Sequence, residues 1–162
     1  MVVVSNTSPL SNLAIIGRLA LLRDQFVMVP PAVREELSRL GNSGARCALE
    51  EAFAEGWLRA ILLQEPVSTA IRSGLHSGEA ESLALALEVR AAMIILDDGD
   101  ARRRAVELGL EITGVLGILL KAKRTGQIPS LSDEIKRLRA EAHFFVAPAL
   151  EKRLVAGAGE SF

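Results

Sequence analysis

The sequence is poor in cysteine and in aromatic residues. Its one cysteine, Cys47, excludes an internal disulfide framework and a cysteine-rich zinc site, and it predicts a reducing compartment. We expect Cys47 itself to be a small buried apolar residue. Aromatic residues make up 4% of the 162 residues, and they are too scattered to form a platform on which nucleobases stack.

The chain also lacks an excess of charge and a long apolar run. It has 19 Lys and Arg residues against 20 Asp and Glu, so no overall positive field would hold it on nucleic acid, and any such contact must be local. It has no basic leader and no apolar stretch of the roughly 18 residues that a membrane span needs. We therefore expect a cytoplasmic protein that makes no membrane contact.

Several common catalytic motifs are absent. The sequence contains no GxGxxG, GxxxxGK[ST], HExxH or GxSxG pattern, which excludes the usual dinucleotide-binding, P-loop, zinc-protease and hydrolase-elbow sites. Neither His76 nor His143 follows a predicted strand beside a Ser or Cys partner. We therefore interpret both histidines as surface or packing residues.

Length and hydrophobic content predict one domain with one core. We place that domain at residues 1–155 and expect the small, polar tail at 156–162 to be frayed. Short apolar runs alternate with helix-forming stretches, and the Trp57 to Leu63 run is either a short strand or further packing. The other predicted strands are Val2 to Val4, Phe26 to Val29, Met93 to Leu96 and Leu110 to Thr113. This alternation predicts an α/β fold in three layers, with a central, mainly parallel sheet of four to five strands.

Polar residues follow the predicted strands, where the ligand site of an open parallel sheet lies. Ser5 to Ser8 follow the first strand, acidic residues follow the second and fourth, and others begin the helix after Gly78. The acidic residues concerned are Glu35, Glu36, Glu79, Glu81, Asp97, Asp98 and Asp100. If they meet, their mutual repulsion must be relieved by protonation or by a hard cation such as Mg²⁺ or Mn²⁺. Such an ion would suit metal-assisted phosphodiester hydrolysis.

A purely structural interpretation of these residues stays open. Acidic residues in the first turn of a helix are favoured by capping and by the helix dipole, which suffices for Glu79, Glu81 and Asp100. One helix cap needs only one carboxylate, so capping does not explain both of the adjacent residues Asp97 and Asp98, although two adjacent aspartates are also common in turns. The arginines at 102–104 form a solvated helix face, from which one or two side chains can contact phosphate.

Four segments resemble the PIN-domain ribonucleases. They are VVVSNTSPL, PPAVREEL, SGEAESLALAL and IILDDGDAR, in that order and with similar spacing, and the sequence from GVLGILLKAK onward resembles the C-terminal part of a bacterial and archaeal PIN-like subfamily. The resemblance covers nearly the whole chain and implies a PIN-like fold. It also implies an acidic site for one or two Mg²⁺ or Mn²⁺ ions.

The resemblance implies a role for particular residues of this sequence. The four acidic positions of the family map to Asn6, Glu36, Glu79 and Asp98, and the last three would be catalytic. The metal ligands would come from Asn6, Glu36, Glu79, Asp97, Asp98 and Asp100, and the substrate contacts from Thr7, Ser8 and Arg102. Asn6 departs from the family, which has Asp there, and its amide offers a neutral oxygen in place of a charged one.

Three functions stay open after this comparison. The first is a metal-dependent endoribonuclease for single-stranded or looped RNA, similar to the toxin of a toxin–antitoxin pair, with a small antitoxin as partner. The second is a PIN-like module, weakened by Asn6, that binds RNA or protein without cleaving. The third is a phosphatase on another α/β scaffold, although the aspartyl-nucleophile type needs a carboxylate directly after the first strand and none precedes Asp24.

We also expect a homodimer. PIN-like toxins commonly pair, and the mean hydropathy of +0.28 is high enough to leave an apolar patch after the core is packed.

Overall fold

A five-stranded, entirely parallel sheet forms the centre of the computed structural model, which describes residues 1–160. The strands are β1 (Val2–Ser5), β2 (Phe26–Val29), β3 (Leu58–Ala60), β4 (Met93–Ile95) and β5 (Ile112–Thr113). They lie in the order β3-β2-β1-β4-β5, so β1 is central. The sheet confirms the predicted α/β class.

Helices connect the strands and cover both faces of the sheet. They are α1 (Thr7–Ile15), α2 (Pro31–Ser38), α3 (Ser43–Glu55), α4 (Thr69–Arg72), α5 (Ser77–Glu88), α6 (Gly99–Glu107), α7 (Val115–Arg124), α8 (Leu131–Ala142) and α9 (Pro148–Gly157), with a short 3₁₀ helix at Leu19–Leu22. Over residues 1–160, no helix is both long enough and apolar enough to cross a lipid bilayer.

The first helix begins directly after β1 and contains a proline in its first turn. α1 starts at Thr7, and Pro9 is its third residue. A proline is tolerated there because the first N–H groups of a helix have no partner within it. The consequence is that Thr7 and Ser8 lie in the first turn of the helix and keep a fixed place beside the end of β1.

Alternating side chains of the central strand divide the core into two clusters. Val3 packs with α1, α3, α7 and α8, whereas Val4 packs with α5 and α6 on the other face of the sheet. Successive side chains of a strand point to opposite faces, and both valines are fully buried. The run of valines in β1 therefore reflects a strand that is covered on both sides.

Cys47 is exposed, so the prediction that it is buried is wrong. Helix α3 buries Ala45, Leu49 and Ala52, which lie four and three residues apart and form one face. Cys47 follows Ala45 by two positions, about 200° around the helix, and therefore faces solvent.

The tail beyond α9 makes specific contacts as far as Glu160, where a frayed segment was expected. The Glu160 carboxylate accepts hydrogen bonds from the N–H groups of Leu131 (2.6 Å) and Ser132 (3.1 Å) and from the Ser130 hydroxyl (3.2 Å). Lys123 Nζ lies 3.7 Å away. Burial disfavours the charged form, but these donors and Lys123 outweigh it and lower the pKa of Glu160. Residues 161 and 162 lie outside the described part of the chain.

Replacing Glu160 with Ala should lower the free energy of unfolding by roughly 1–2 kcal/mol at neutral pH, because the first turn of α8 loses its acceptor. A lowered pKa in the folded state means that the stabilisation is complete above the ordinary value of 4.5 and is lost as the pH falls through the folded value. Urea unfolding at pH 7 and at pH 3.5 measures both effects. Equal stability of the two proteins at pH 7 would contradict this role, and Glu51→Ala, on the exposed side of α3, serves as the control.

Candidate active site at the carboxyl edge of the sheet

A cavity of about 600 Å³ lies where the central strands end. It is lined by Asn6, Thr7, Ser8, Glu36, His76, Gly78, Glu79, Asp97 and Asp98. All strands of the sheet are parallel, so their carboxyl ends share one edge. On one side of β1 lie β2 and β3, and on the other side lie β4 and β5, and ligands bind beside the strand where the order changes direction in this way. Most of the residues expected at the site are therefore brought together.

Asn6 lines this cavity and is buried, with 5% of its surface exposed. It occupies the N-cap position of α1, yet its side chain makes no capping hydrogen bond, and its Oδ1 is buried without a partner among residues 1–160. Asn42, at the same position of α3, behaves in the usual way and accepts the N–H of Ala45 at 2.9 Å. The Asn6 oxygen thus takes no part in capping α1.

Asp97 follows β4 and is held by the start of α7. Its Oδ1 accepts the N–H of Val115 at 3.1 Å, while its Oδ2 is buried without a partner in the described chain. Gly114 is required for this contact because a Cβ there would collide with Oδ1. Burial raises the pKa of Asp97, and the N–H of Val115 and the charge of Arg102 oppose the rise only in part.

Glu79, in the first turn of α5, has one engaged oxygen and one free oxygen. Its Oε1 accepts the main-chain N–H of His76 at 3.2 Å, and its Oε2 is buried with no hydrogen-bond partner in residues 1–160. Burial raises the pKa of Glu79, and the neighbouring Asp98 adds to the rise. The Glu79 carboxyl group therefore lies in a partly buried, negatively charged place, where a cation would favour its ionised form.

The other two acidic side chains of the cavity, Glu36 and Asp98, are exposed and already have donors. The Thr7 hydroxyl donates to Glu36 Oε2 at 2.7 Å. Asp98 Oδ1 accepts the N–H groups of Asp100 and Ala101, both at 3.0 Å, and so caps α6. The resemblance to the PIN-domain ribonucleases maps the fourth acidic position to Asp98. The buried oxygen without a partner, however, belongs to Asp97.

Two expected site residues, Asp100 and Arg102, do not line the cavity. Asp100 lies in the first turn of α6, where it faces solvent and pairs with Arg103. Arg102 donates from Nη1 to the main-chain carbonyl of Leu96 at 2.6 Å. Arg102 therefore acts on the site through the backbone beside Asp97 and through its charge.

The sequence did not predict that His76 and Gly78 line the cavity. A Cβ at Gly78 would lie 2.7 Å from Glu36 Oε1, so glycine allows α2 and α5 to approach. His76 is exposed, but it immediately precedes α5, and its main-chain N–H donates a hydrogen bond to Glu79 Oε1. The position of His76 immediately before the helix that carries Glu79 is the sequence feature that could have predicted its place at the cavity.

The donor set of the cavity fits a hard divalent cation. Asn6 Oδ1, Glu79 Oε2 and Asp97 Oδ2 are three buried oxygens without hydrogen-bond partners, and oxygen is the ligand that Mg²⁺ and Mn²⁺ prefer. Over residues 1–160, no three His, Cys, Asp or Glu side chains come close enough to hold a metal by themselves. An ion in this cavity would therefore need at least one ligand besides these residue types, and the Asn6 amide is an oxygen donor in the lining.

Two comparisons with known proteins connect the chain to a described family. A family model described as a PIN domain matches residues 2–160. The fold is similar to that of a PilT N-terminus domain protein from the hyperthermophilic archaeon Sulfolobus solfataricus P2, with a TM-score of 0.56. The two chains are 20% identical, and the match covers 75% of this chain and 93% of the other. No curated protein matches this sequence.

The raised pKa of Asp97 predicts a stability change for Asp97→Asn in the metal-free protein. The ionised carboxylate costs stability above its raised pKa, and the cost disappears below the ordinary value of 3.8. The amide introduced by this substitution would keep an acceptor for the N–H of Val115 without the charge. The variant should melt a few degrees higher than the wild type in EDTA at pH 7.5, with a smaller difference at pH 4. A lower melting temperature at pH 7.5 would show that the charge of Asp97 stabilises the fold.

Proposed function

The chain belongs to the PIN-domain family and has a nuclease-type fold, and we propose that it is a divalent-metal-dependent endoribonuclease for single-stranded or looped RNA. The match over residues 2–160 bears out the resemblance inferred from the sequence. The observation that carries the proposal is the set of three buried, unpartnered oxygens in one cavity. Buried polar atoms are rarely left without partners in a fold that has no use for them.

The charge of the cavity supports metal dependence. Four carboxylates line it, those of Glu36, Glu79, Asp97 and Asp98, and no Lys or Arg side chain does so among the residues described. A phosphodiester would be repelled by this surface unless a cation offset the negative charge. RNA binding at this site is therefore expected to require the ion.

The roles of the residues follow from their positions. Asn6, Glu79 and Asp97 would hold Mg²⁺ or Mn²⁺, which when bound polarises a phosphoryl oxygen and lowers the pKa of a coordinated water. Glu36, fixed by the Thr7 hydroxyl, would orient the attacking water from the rim. Ser8 and His76 line the same cavity and would contact the RNA backbone.

A toxin–antitoxin pairing and a homodimer are further parts of this proposal. Leu62 and Phe145 are 78% and 82% exposed, and exposed apolar side chains of this size are common where a second protein packs. A small antitoxin or a second copy of the chain would be the partner. The cytoplasmic location stays a prediction.

Asn6 favours one alternative, a PIN-like module that binds RNA without cleaving it. The amide keeps an oxygen in the cavity but removes one negative charge, which weakens the hold on a cation and reduces repulsion of phosphate. In this case RNA would bind with or without divalent ions, and no product would form.

Cleavage of an unstructured RNA in the presence of Mn²⁺ tests the proposal. We expect slow cleavage by the wild type, a loss of at least about 100-fold in Asp97→Asn, and little change in Asp100→Asn, a matched substitution outside the cavity. Removing a group that holds the ion weakens electrostatic stabilisation of the transition state, and losses of this size are usual for such groups. Binding of RNA without cleavage in all three proteins would favour the binding module. Cleavage that survives Asp97→Asn would mean that this cavity is not the active site.

A further inference from the structure

We infer that residues 61–76, which connect β3 to α5, form one wall of the RNA-binding site beside the active-site cavity, and that Arg104 is the positioning residue that holds this wall in place. We call this connection the 61–76 loop. The inference rests on the proposed function, because it names a further part of the chain that the RNA would contact. Arg104 itself lies on α6, outside the lining of the cavity.

The first support is the length of the 61–76 loop. The other four strands are each followed by a helix after one to three residues, whereas 16 residues separate Ala60, the end of β3, from Ser77, the start of α5. Within these 16 residues the single turn of α4 is the one regular element. Long connections are uncommon in compact domains, and many of those that occur are binding loops or cover an active site.

The second support is the set of hydrogen bonds by which Arg104 holds the loop. Its Nη1 donates to the main-chain carbonyls of Ala70 (2.5 Å) and Ile71 (2.8 Å), and its Nη2 donates to that of Ser73 (3.0 Å). All side chains of the 61–76 loop are exposed or half-buried, so none of them anchors the loop deep in the core. Three hydrogen bonds from one charged donor are therefore a large part of what fixes the second half of the loop.

Glu88 holds the first half of the loop in a similar way. Its carboxylate accepts the main-chain N–H groups of Gln64 at 3.1 Å and Glu65 at 3.0 Å. Glu88 is the last residue of α5, where the helix dipole disfavours a negative charge. Its contacts with the loop, and not the needs of its own helix, therefore explain a carboxylate at this position.

The third support is the place to which the loop leads. Residues 73–75 lie along one side of a groove of about 260 Å³, and Asp100, Arg103 and Arg104 of α6 lie along the other. His76, the next residue of the loop, lines the active-site cavity. Because consecutive Cα atoms are only about 3.8 Å apart, the groove and the cavity adjoin. A strand of RNA bound in the cavity would therefore continue along the loop.

The groove also contains an accessible cation. The side chain of Arg103 is 74% exposed and pairs with Asp100 in the first turn of α6. An exposed ion pair of this kind contributes little to stability, so a phosphate can take the place of Asp100 at little cost. Among the residues described, no Lys or Arg lines the cavity itself. The groove thus offers the RNA backbone a positive group that the cavity lacks.

Limited digestion with trypsin tests whether Arg104 holds the loop, because Arg72, in α4, is the one Lys or Arg between residues 60 and 89. Without RNA, Arg104→Gln should speed cleavage after Arg72 about tenfold or more, because cleavage follows the population of the opened loop and three hydrogen bonds are lost. Arg104→Lys keeps the charge without the forked donor and should be cleaved nearly as fast. The matched control is Arg153→Gln, on the exposed side of α9, which should be cleaved at the wild-type rate.

Protection by RNA tests whether the loop faces the substrate, and this experiment needs only the wild-type chain. An unstructured RNA, added in excess together with Mn²⁺, should slow cleavage after Arg72 at least about fivefold relative to cleavage after the other Lys and Arg residues, because bound RNA stabilises the closed loop and covers it. A loop that serves the fold alone would leave this ratio unchanged, which would contradict the inference.

Steady-state cleavage of the same RNA separates positioning from chemistry. Arg104→Gln should raise KM about fivefold and change kcat less than about twofold, because a displaced wall weakens the binding of substrate and transition state alike. Glu88→Ala releases the other end of the loop and should act in the same direction. Thermal melting identifies a variant that does not fold, and Glu88→Ala then replaces Arg104→Gln in both assays.

An unchanged rate of cleavage after Arg72 in either Arg104 variant would overturn the inference, and so would a loss of kcat at unchanged KM. RNA that is cut without protecting Arg72 would keep the proposed function and contradict the inference. A failure of the proposed function looks different, because RNA would then bind and protect Arg72 but stay intact. RNA that does not bind at all would contradict both, while trypsin would still show whether Arg104 holds the loop.

Discussion

The parallel pairing of β1 with β4 is the constraint on which the site depends. Ser5 lies opposite Ile95 in this ladder, and the Asn6 N–H reaches the Ile95 carbonyl at 3.4 Å, so the two strands end side by side. The next residues of both strands must leave the sheet at the same edge. Asn6 and Asp97 are thus brought to one cavity by backbone hydrogen bonds, before any attraction between side chains is considered. The same edge collects several carboxyl groups, and partial burial raises the pKa of Asp97 and of Glu79.

Much of this arrangement could be predicted from the sequence, because the carboxyl ends of all strands in a parallel sheet lie at the same edge. The valines of β1 and the apolar run of β4 identified the strands, and the polar residues after them identified the edge. Spacing alone does not show which side chain of a helix turn faces inward. Asp100 was therefore expected at the site, although α6 turns it toward solvent and Arg103. Cys47 was misplaced for the same reason.

The roles of the two adjacent aspartates needed the three-dimensional contacts. Asp97 and Asp98 are equivalent in the sequence, and both line the cavity. What separates them is the N-terminus of α6, which takes Asp98 as its cap, and the N-terminus of α7, which holds one oxygen of Asp97 and leaves the other free. The second contact joins residues 18 positions apart and depends on Gly114. No local sequence pattern predicts a contact between Asp97 and Val115.

A crystal structure of the protein grown with Mn²⁺ would decide whether this cavity holds a divalent ion, because the anomalous signal locates the ion independently of any activity. We expect an anomalous peak in the cavity, within about 2.5 Å of Asn6 Oδ1, Glu79 Oε2 and Asp97 Oδ2, the range typical of oxygen ligands. A peak held by Glu36 and Asp98 instead, or no peak in the cavity at a saturating concentration of Mn²⁺, would contradict it.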